Sequence, residues 1–376
     1  MRVAIVAGTR PEVVKLAPVR AALAAVEGFD PIWISTEQQA TLNRQTLITL
    51  GIEPDLALTP PANDASLGGR FAHVMHELDL AFERAAPDLV VVQGDTSSTA
   101  AGAMAAFARR IPVAHVEAGL RTFDLATPFP EEGWRCVVGQ LADVHFAPTG
   151  VAAANLHRQG VREDRVFVTG NTGVDSVRLT AAGIAPEPPT AGLRRIMVTL
   201  HRRENWGEAM DQVLRALIDI RDHVPDIEIV FVAHANPALR QKVFTLLGDQ
   251  PRIRIVGPLE YPDFLSLLKS CVVILSDSGG VQEEAPVFGV PVLILRESTE
   301  RMEAVTAGVA RLVGHSRHGV AAAACLLLTN EDERHKMAKA LSPFGDGYAS
   351  ERIAEILTRQ YAGRLAEGGL HRLNAG

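Results

Sequence analysis

"RVAIVAGTRPEVVKLAP", residues 2–18, decides the fold class of this chain. Its first six residues form a nearly continuous apolar run, as a strand covered on both faces does, and the run stops at Gly8. A helix follows, with Pro11 at its first position, where a fixed φ suits the helix. Arg10 and Lys15 lie beside that first turn. A helix N-terminus already carries partial positive charge, so cations there call for an anion among them. Two solvated basic side chains are the plainer alternative, more natural for Lys15 than for an arginine held between a strand end and a proline. No G-x-G-x-x-G follows the strand, which weighs against a nicotinamide or flavin cofactor.

The same unit recurs along the chain. "PIWIS" (31–35), "DLVVVQ" (88–93), "PVAHV" (112–116), "VHFAP" (144–148) and "RVFVTG" (165–170) are short β-rich runs, each followed by an Ala- or Leu-rich segment of helical length. Alternating β and α predicts a parallel, doubly wound sheet. The Pro-, Ala- and Gly-rich "AAGIAPEPPTAGLRR" (181–195) breaks the rhythm. It then restarts with "RIMVTL" (195–200), "IEIVFVA" (227–233), "RIRIVG" (252–257), "CVVILSD" (271–277) and "VPVLILR" (290–296). This predicts two Rossmann-like domains, residues 1–170 and 190–345, with a last helix at about 350–365 packing on either half. Ligands of such sheets sit beyond the carboxyl ends of strands, so two sheets facing across a cleft would line it with the residues that follow each strand.

The length of 376 residues suffices for two domains with ample core. A formal net charge of -7 gives no general attraction to nucleic acid or an anionic membrane, so an anion site must be a local gathering of basic groups, which favours a small-molecule ligand. Cys136, Cys271 and Cys325 match no zinc or disulfide spacing; Cys136 and Cys271 lie in apolar runs that predict buried thiols, and a reducing cytosol fits. The opening apolar run is too short for a signal peptide and no later stretch approaches a membrane span, so a complete, cytoplasmic protein is expected.

The strand ends carry the chemistry. In "SDSGGVQEEAP" (276–286), Ser278, Gly279 and Gly280 turn backbone N–H groups toward a ligand without obstruction by side chains, which suits a diphosphate; a plain tight turn competes. Glu283 and Glu284 read either as first-turn acids complementing the helix dipole or as a carboxylate for ribose hydroxyls. Asp95, in "QGDTSST", reads as an N-cap or as an acid at a strand end. Glu117 ends an apolar strand, where an uncompensated carboxylate is costly, so a partner or a catalytic task is expected. "PFPEEGWR" (128–135) adds Glu131, Glu132 and Arg135, with first-turn capping as the competing role. His201, in "VTLHRRENWG", is a ligand or acid candidate after the first strand of the second domain, against a solvated basic turn.

From residue 1 to about 355 the chain resembles the bacterial non-hydrolysing UDP-N-acetylglucosamine 2-epimerases. The resemblance rests on "GTRPEVVKLAPV", "GDTSST", "IPVAHVEAGLRT", "PFPEE", "ADVHFAPT", "VTGNTGVDSV", "HRREN", "SDSGGVQEEAP" (with Ser276 for the family's Thr), "STER" and "FGDG", in the family's order and spacing. It implies a GT-B fold, a homodimer, and interconversion of UDP-GlcNAc and UDP-ManNAc without metal or NAD. It also implies that Asp95, Glu117 and Glu131 are the essential carboxylates and that His201 serves the diphosphate and leaving-group side. Arg10 and Lys15 would lie near the sugar nucleotide, with Arg135 among the substrate-binding residues. Ser278, Gly279 and Gly280 would hold the diphosphate and Glu284 the ribose; Phe264 would border the uracil, and Arg301 would contact the nucleotide sugar.

The family's chemistry, loss of UDP from C1 to give a 2-acetamidoglucal and its re-addition after protonation on the opposite face, makes sense of several acids beside several cations. A hydrolysing epimerase, a GT-B glycosyltransferase and a non-catalytic UDP-sugar sensor are the alternatives; retention of Asp95, Glu117, Glu131 and His201 counts against the sensor. The chain departs from the family at Glu37, for a common Gly, and at Gln39, for the His of a Gln-His pair that belongs to a second, activating UDP-GlcNAc site, which puts regulation by substrate in question. Gln93 stands for a common His, Trp134 for Asn and Met302 for Pro. Trp134 lies between two expected functional residues, which points to a reshaped sugar pocket.

Overall fold

The computed structural model describes residues 1–38, 40–62, 64–202, 205–363 and 365. The chain divides into two compact units, Met1–Ser176 with Phe344–Gly376, and Val177–Pro343.

In the first unit β1 (Arg2–Ala7), α1 (Arg10–Ala24), β2 (Asp30–Ser35), α2 (Ala40–Thr49), β3 (Leu56–Ala57), α3 (Leu67–Ala85), β4 (Leu89–Gln93), α4 (Ser97–Ala108), β5 (Val113–Val116), α5 (Glu131–Leu141), β6 (Val144–Ala147), α6 (Gly150–Arg158) and β7 (Val166–Val168) alternate along the chain. The strands form one parallel sheet ordered β3-β2-β1-β4-β5-β6-β7. The unbroken apolar run of β1 has a direct cause. Val3, Ile5 and Ala7 face one core with Val13, Leu16 and Val19 of α1, while Ala4 and Val6 face another with Leu78 and Phe82 of α3 and the alanines of α4.

After α7 (Thr172–Ala181), the second unit contains β8 (Arg194–Thr199), α8 (Glu208–His223), β9 (Ile227–Val232), α9 (Pro237–Leu247), β10 (Ile253–Val256), α10 (Tyr261–Lys269), β11 (Cys271–Ser276), α11 (Gly279–Glu284), β12 (Val292–Ile294), α12 (Met302–Thr306), β13 (Ala310–Leu312), α13 (Arg317–Thr329) and α14 (Glu331–Lys339). Its parallel sheet runs β10-β9-β8-β11-β12-β13. Ile196 and Val198 of β8 pack with Val213, Leu217 and Ile220 of α8 and with Val320 and Leu327 of α13. Finally α15 (Ala349–Gln360) packs on the first unit, where Ile353, Ala354 and Leu357 join the core beneath α1. The buried Asp175 fastens its start, accepting from the backbone N–H of Ser350 at 2.6 Å.

Two edge strands, β3 and β13, escape the sequence reading, the first because it is two residues long and the second because Arg311 interrupts its apolar run. The predicted burial holds for Cys271, whereas Cys136 is half-buried on α5. None of the helices among the described residues is long and apolar enough to cross a membrane.

Each sheet order reverses direction once, between β1 and β4 in the first unit and between β8 and β11 in the second. Such switch points leave a crevice at the strands' carboxyl ends, the usual ligand position of doubly wound sheets. The turns that begin at Gly8, Gly94, Leu200 and Asp277 occupy these places.

Candidate active site

In the first unit a buried carboxylate ties the two turns of the switch point together. Thr9 caps α1, and Glu12 three residues on completes a capping box, accepting from the backbone N–H groups of Gly8 and Thr9 at 3.0 and 2.7 Å. The same carboxylate accepts the hydroxyls of Thr96 at 2.6 Å and Thr99 at 3.0 Å, across on the β4–α4 turn. Burial pushes the Glu12 carboxyl above its ordinary range, and these hydrogen bonds pull the other way. Gly8 is required by the closeness of this packing. A Cβ there would lie 2.0 Å from Thr36 Oγ1 and 2.2 Å from Ser98 Oγ, which hydrogen-bond each other at 2.6 Å. The helix begins at Arg10, one residue earlier than Pro11.

Glu117 follows β5 with φ at 59°, a left-handed conformation that costs a non-glycine residue about 1–3 kcal/mol and persists only where the surroundings over-determine it. They do so here. Lys15 Nζ, one turn into α1, donates to Glu117 Oε1 at 2.6 Å in an ion pair that is nearly closed to solvent. Asn171 Nδ2 reaches the same oxygen at 3.3 Å, and Gln93 Nε2 donates to Oε2. The partner expected for Glu117 is therefore chiefly Lys15. This redirects the reading of Lys15, whose ammonium is committed to a carboxylate.

Asp95 is not the N-cap of α4. Thr96 is, accepting from Thr99 N–H at 3.1 Å, and Asp95 is left to pair with the buried Arg135, whose Nε lies 2.8 Å from Asp95 Oδ2. Arg135 also donates to Glu132 Oε2 at 3.1 Å, and Glu132 Oε1 accepts the backbone N–H of Phe123, so Glu132 is a structural brace. Glu131, the first residue of α5, is half-exposed and its carboxylate makes no hydrogen bond or ion pair among the described residues; the same holds for the guanidinium of Arg10. Trp134 stacks on Phe71 of α3, ring centroids 4.7 Å apart, so its ring is taken up by packing. Glu37, with φ at 54°, accepts from Ser35 Oγ at 2.7 Å, while Gln39 lies outside the described residues.

The second unit repeats the device. Asp277, fully buried after β11, accepts the backbone N–H of His201 at 2.8 Å and of Arg202 at 2.9 Å, and Asn205 Nδ2 at 2.6 Å. It thereby joins the turn carrying His201 to the one carrying Ser278. His201 is exposed, with Nε2 against Thr199 Oγ1 and its ring 5.8 Å from that of His234. Ser278 is the N-cap residue of α11, so Gly279 and Gly280 open that helix with their N–H groups. The Arg301 guanidinium lies against Gly279, where a Cβ would come within 2.5 Å of Nη1.

Arg301, Arg296 and Arg202 converge on the buried Glu300, and Arg301 Nε also meets Glu283 Oε1 at 2.5 Å. These contacts hold the Arg301 guanidinium beside the glycine turn. Glu283 and Glu284 stand in the last turn of α11, not its first, so the dipole-complementing role falls away. Glu284 accepts from Tyr261 Oη at 3.2 Å; Phe264 is half-exposed three residues along α10 from Tyr261, on the same face.

A family model described as UDP-N-acetylglucosamine 2-epimerase matches residues 21–358. The chain is 41% identical over 367 residues to a UDP-N-acetylglucosamine 2-epimerase of Bacillus subtilis, covering 97% of each. It belongs to the UDP-N-acetylglucosamine 2-epimerase family. Two solved structures agree. A Staphylococcus aureus MnaA–UDP co-structure superimposes with a TM-score of 0.90 at 38% identity, covering 97% of each chain. A Neisseria meningitidis UDP-GlcNAc 2-epimerase bound to UDP-GlcNAc does so with 0.92 at 35% identity, covering 96% of this chain and all of that one. The resemblance carried by the motifs is thus borne out, as is the GT-B fold class in its two parallel-sheet units. Within this epimerase chain the sequence reading passed over Glu12, Asn171 and Asp277. Glu12 was legible as the fourth residue of a T-x-x-E capping box, and Asp277 as an acid directly after an apolar strand.

Proposed function

We propose that this chain interconverts UDP-GlcNAc and UDP-ManNAc by eliminating UDP to a 2-acetamidoglucal and adding it back. The observation that carries this reading is Glu117, held buried at a strand end in an imposed conformation by Lys15, Asn171 and Gln93. A strained backbone at a buried, hydrogen-bonded strand-end carboxylate suits a group held in place for proton transfer. The C2 proton is weakly acidic without an adjacent carbonyl, so its removal is coupled to departure of UDP from C1. Glu117, Asp95 and Glu131 take and return the proton between them, and Arg135 orients Asp95. The N–H groups at Ser278, Gly279 and Gly280, with Arg301, Arg10 and His201, stabilise the departing diphosphate, Glu284 receives the ribose hydroxyls and Phe264 borders the uracil. A homodimer in the cytosol, where three unpaired cysteines stay reduced, completes the proposal.

Incubation with UDP-GlcNAc in deuterated water, followed by NMR, tests it. UDP-ManNAc carrying deuterium at C2 is expected. Free ManNAc would mark a hydrolysing epimerase, and an absence of exchange a transferase or sensor; either result overturns the proposal.

A further inference from the structure

Gln93 is the last residue of β4, 4% exposed, and in register with Val116, the residue before Glu117. Both ends of Gln93 are engaged. Its carbonyl lies 2.6 Å from Thr99 Oγ1, whose single hydroxyl proton is shared between that carbonyl and Glu12 Oε1 on α1 at 3.0 Å. Its side-chain amide donates to Glu117 Oε2, while Glu117 Oε1 meets Lys15, three residues after Glu12 on the same helix. The contacts close a ring, Glu12 to Thr99 to Gln93 to Glu117 to Lys15, that runs out from α1 and back to it.

We infer that Gln93 is a positioning residue for proton transfer, its carboxamide fixing the orientation of Glu117 through a donor that carries no charge. The inference rests on the function proposed above. Among the groups that face Glu117, Lys15 from α1 is titratable, and Asn171 from the turn before α7 is neutral. Gln93 from β4 adds a second anchor, on the other carboxylate oxygen, without a second cation. An imidazole there could donate the same hydrogen bond, but it would gain and lose a proton between about pH 5 and 8. With a glutamine in that position, this anchor of Glu117 does not itself titrate over that interval.

Three variants test this by kinetics and by the titration of Glu117 itself. Gln93→Leu removes the donor, and kcat is expected to fall about tenfold to a hundredfold, the factor a hydrogen bond to a charged group is ordinarily worth, with KM little changed. Gln93→His is expected to recover most of that loss and to add an ionisation near neutrality to the kcat profile that the wild type lacks. Gln93→Glu sets two carboxylates against each other, and the midpoint of Glu117 should rise by about one pH unit or more.

That midpoint is read from the side-chain carboxyl carbon in glutamate-labelled protein, assigned through its disappearance in Glu117→Gln. A Gln93→Leu protein with kcat within about twofold of wild type, a factor smaller than an ordinary neutral hydrogen bond gives, overturns the inference. So does an unmoved Glu117 midpoint in Gln93→Glu, and this readout decides the matter even if Gln93→Leu fails to fold. Because the carboxyl titration needs no turnover, a wild-type protein inactive on UDP-GlcNAc would refute the proposed function while leaving the role of Gln93 to be decided by NMR.

Discussion

Acidification should destabilise this protein through a pair of buried imidazoles. His115 on β5 and His145 on β6 are register partners with ring centroids 6.3 Å apart, and both are buried. His115 Nε2 donates to the Gly94 carbonyl at 2.8 Å, and Nδ1 meets no partner among the described residues, so a second proton there would be buried without an acceptor. Burial, with His145 beside it, holds His115 down at about 3, and burial holds His145 at about 4.

In the unfolded chain both titrate near 6.5. As pH falls, the unfolded state therefore takes up protons first. The stability contributed by the neutral pair is complete above about pH 6.5 and is lost on the way down toward 4 and 3. At pH 5, about 1.5 units below the unfolded value, each imidazole costs about 2 kcal/mol relative to pH 7.5.

The assay is urea unfolding followed by circular dichroism at the two pH values, on wild type and His115→Gln. Glutamine keeps a donor for the Gly94 carbonyl and does not titrate. Wild type should lose about 2 kcal/mol more than the variant over the interval. Comparing the two cancels the opposing contributions of Glu12 and Asp175, whose burial-raised pKa values favour the folded state as pH falls. Equal losses in the two proteins would refute the reasoning.

Glu117→Gln is expected to lower turnover by about 10²- to 10⁴-fold while the circular dichroism spectrum stays native; activity within about tenfold of wild type would exclude its assignment to proton transfer. Gly8→Ala drives a methyl group into the Thr36 and Ser98 hydroxyls and should cost about 1–3 kcal/mol in urea unfolding, whereas an unchanged midpoint would mean that the turn relaxes freely. Asp277→Asn leaves an amide facing the N–H donors of His201, Arg202 and Asn205, and stability should fall by about 1.5–3 kcal/mol. A variant as stable as wild type would remove Asp277 as the link between the two turns.

The sequence by itself determined the alternation of strand and helix, because strands buried on both faces must be apolar at every position and the glycine and proline punctuation between them is local. It also brought out the strand-end residues, since a charged group directly after an apolar strand stands out in one dimension. The partners of those residues were decided by tertiary structure alone. Lys15 read as a cation for a phosphate, yet its ammonium goes to Glu117, which is 102 positions away and adjacent only because β1 and β5 lie in one sheet with α1 packed across them. Asp95 read as a helix cap or as an acid at a strand end; Thr96 is the cap, and Arg135, 40 positions on, meets the carboxylate. Glu283 and Glu284 are last-turn rather than first-turn acids because α11 starts at Gly279 and passes into a 3-10 helix at Ala285. Charge and burial preference are properties of a residue and its neighbours along the chain. Which opposite charge it meets is settled by strand order, and strand order is a property of the assembled sheet.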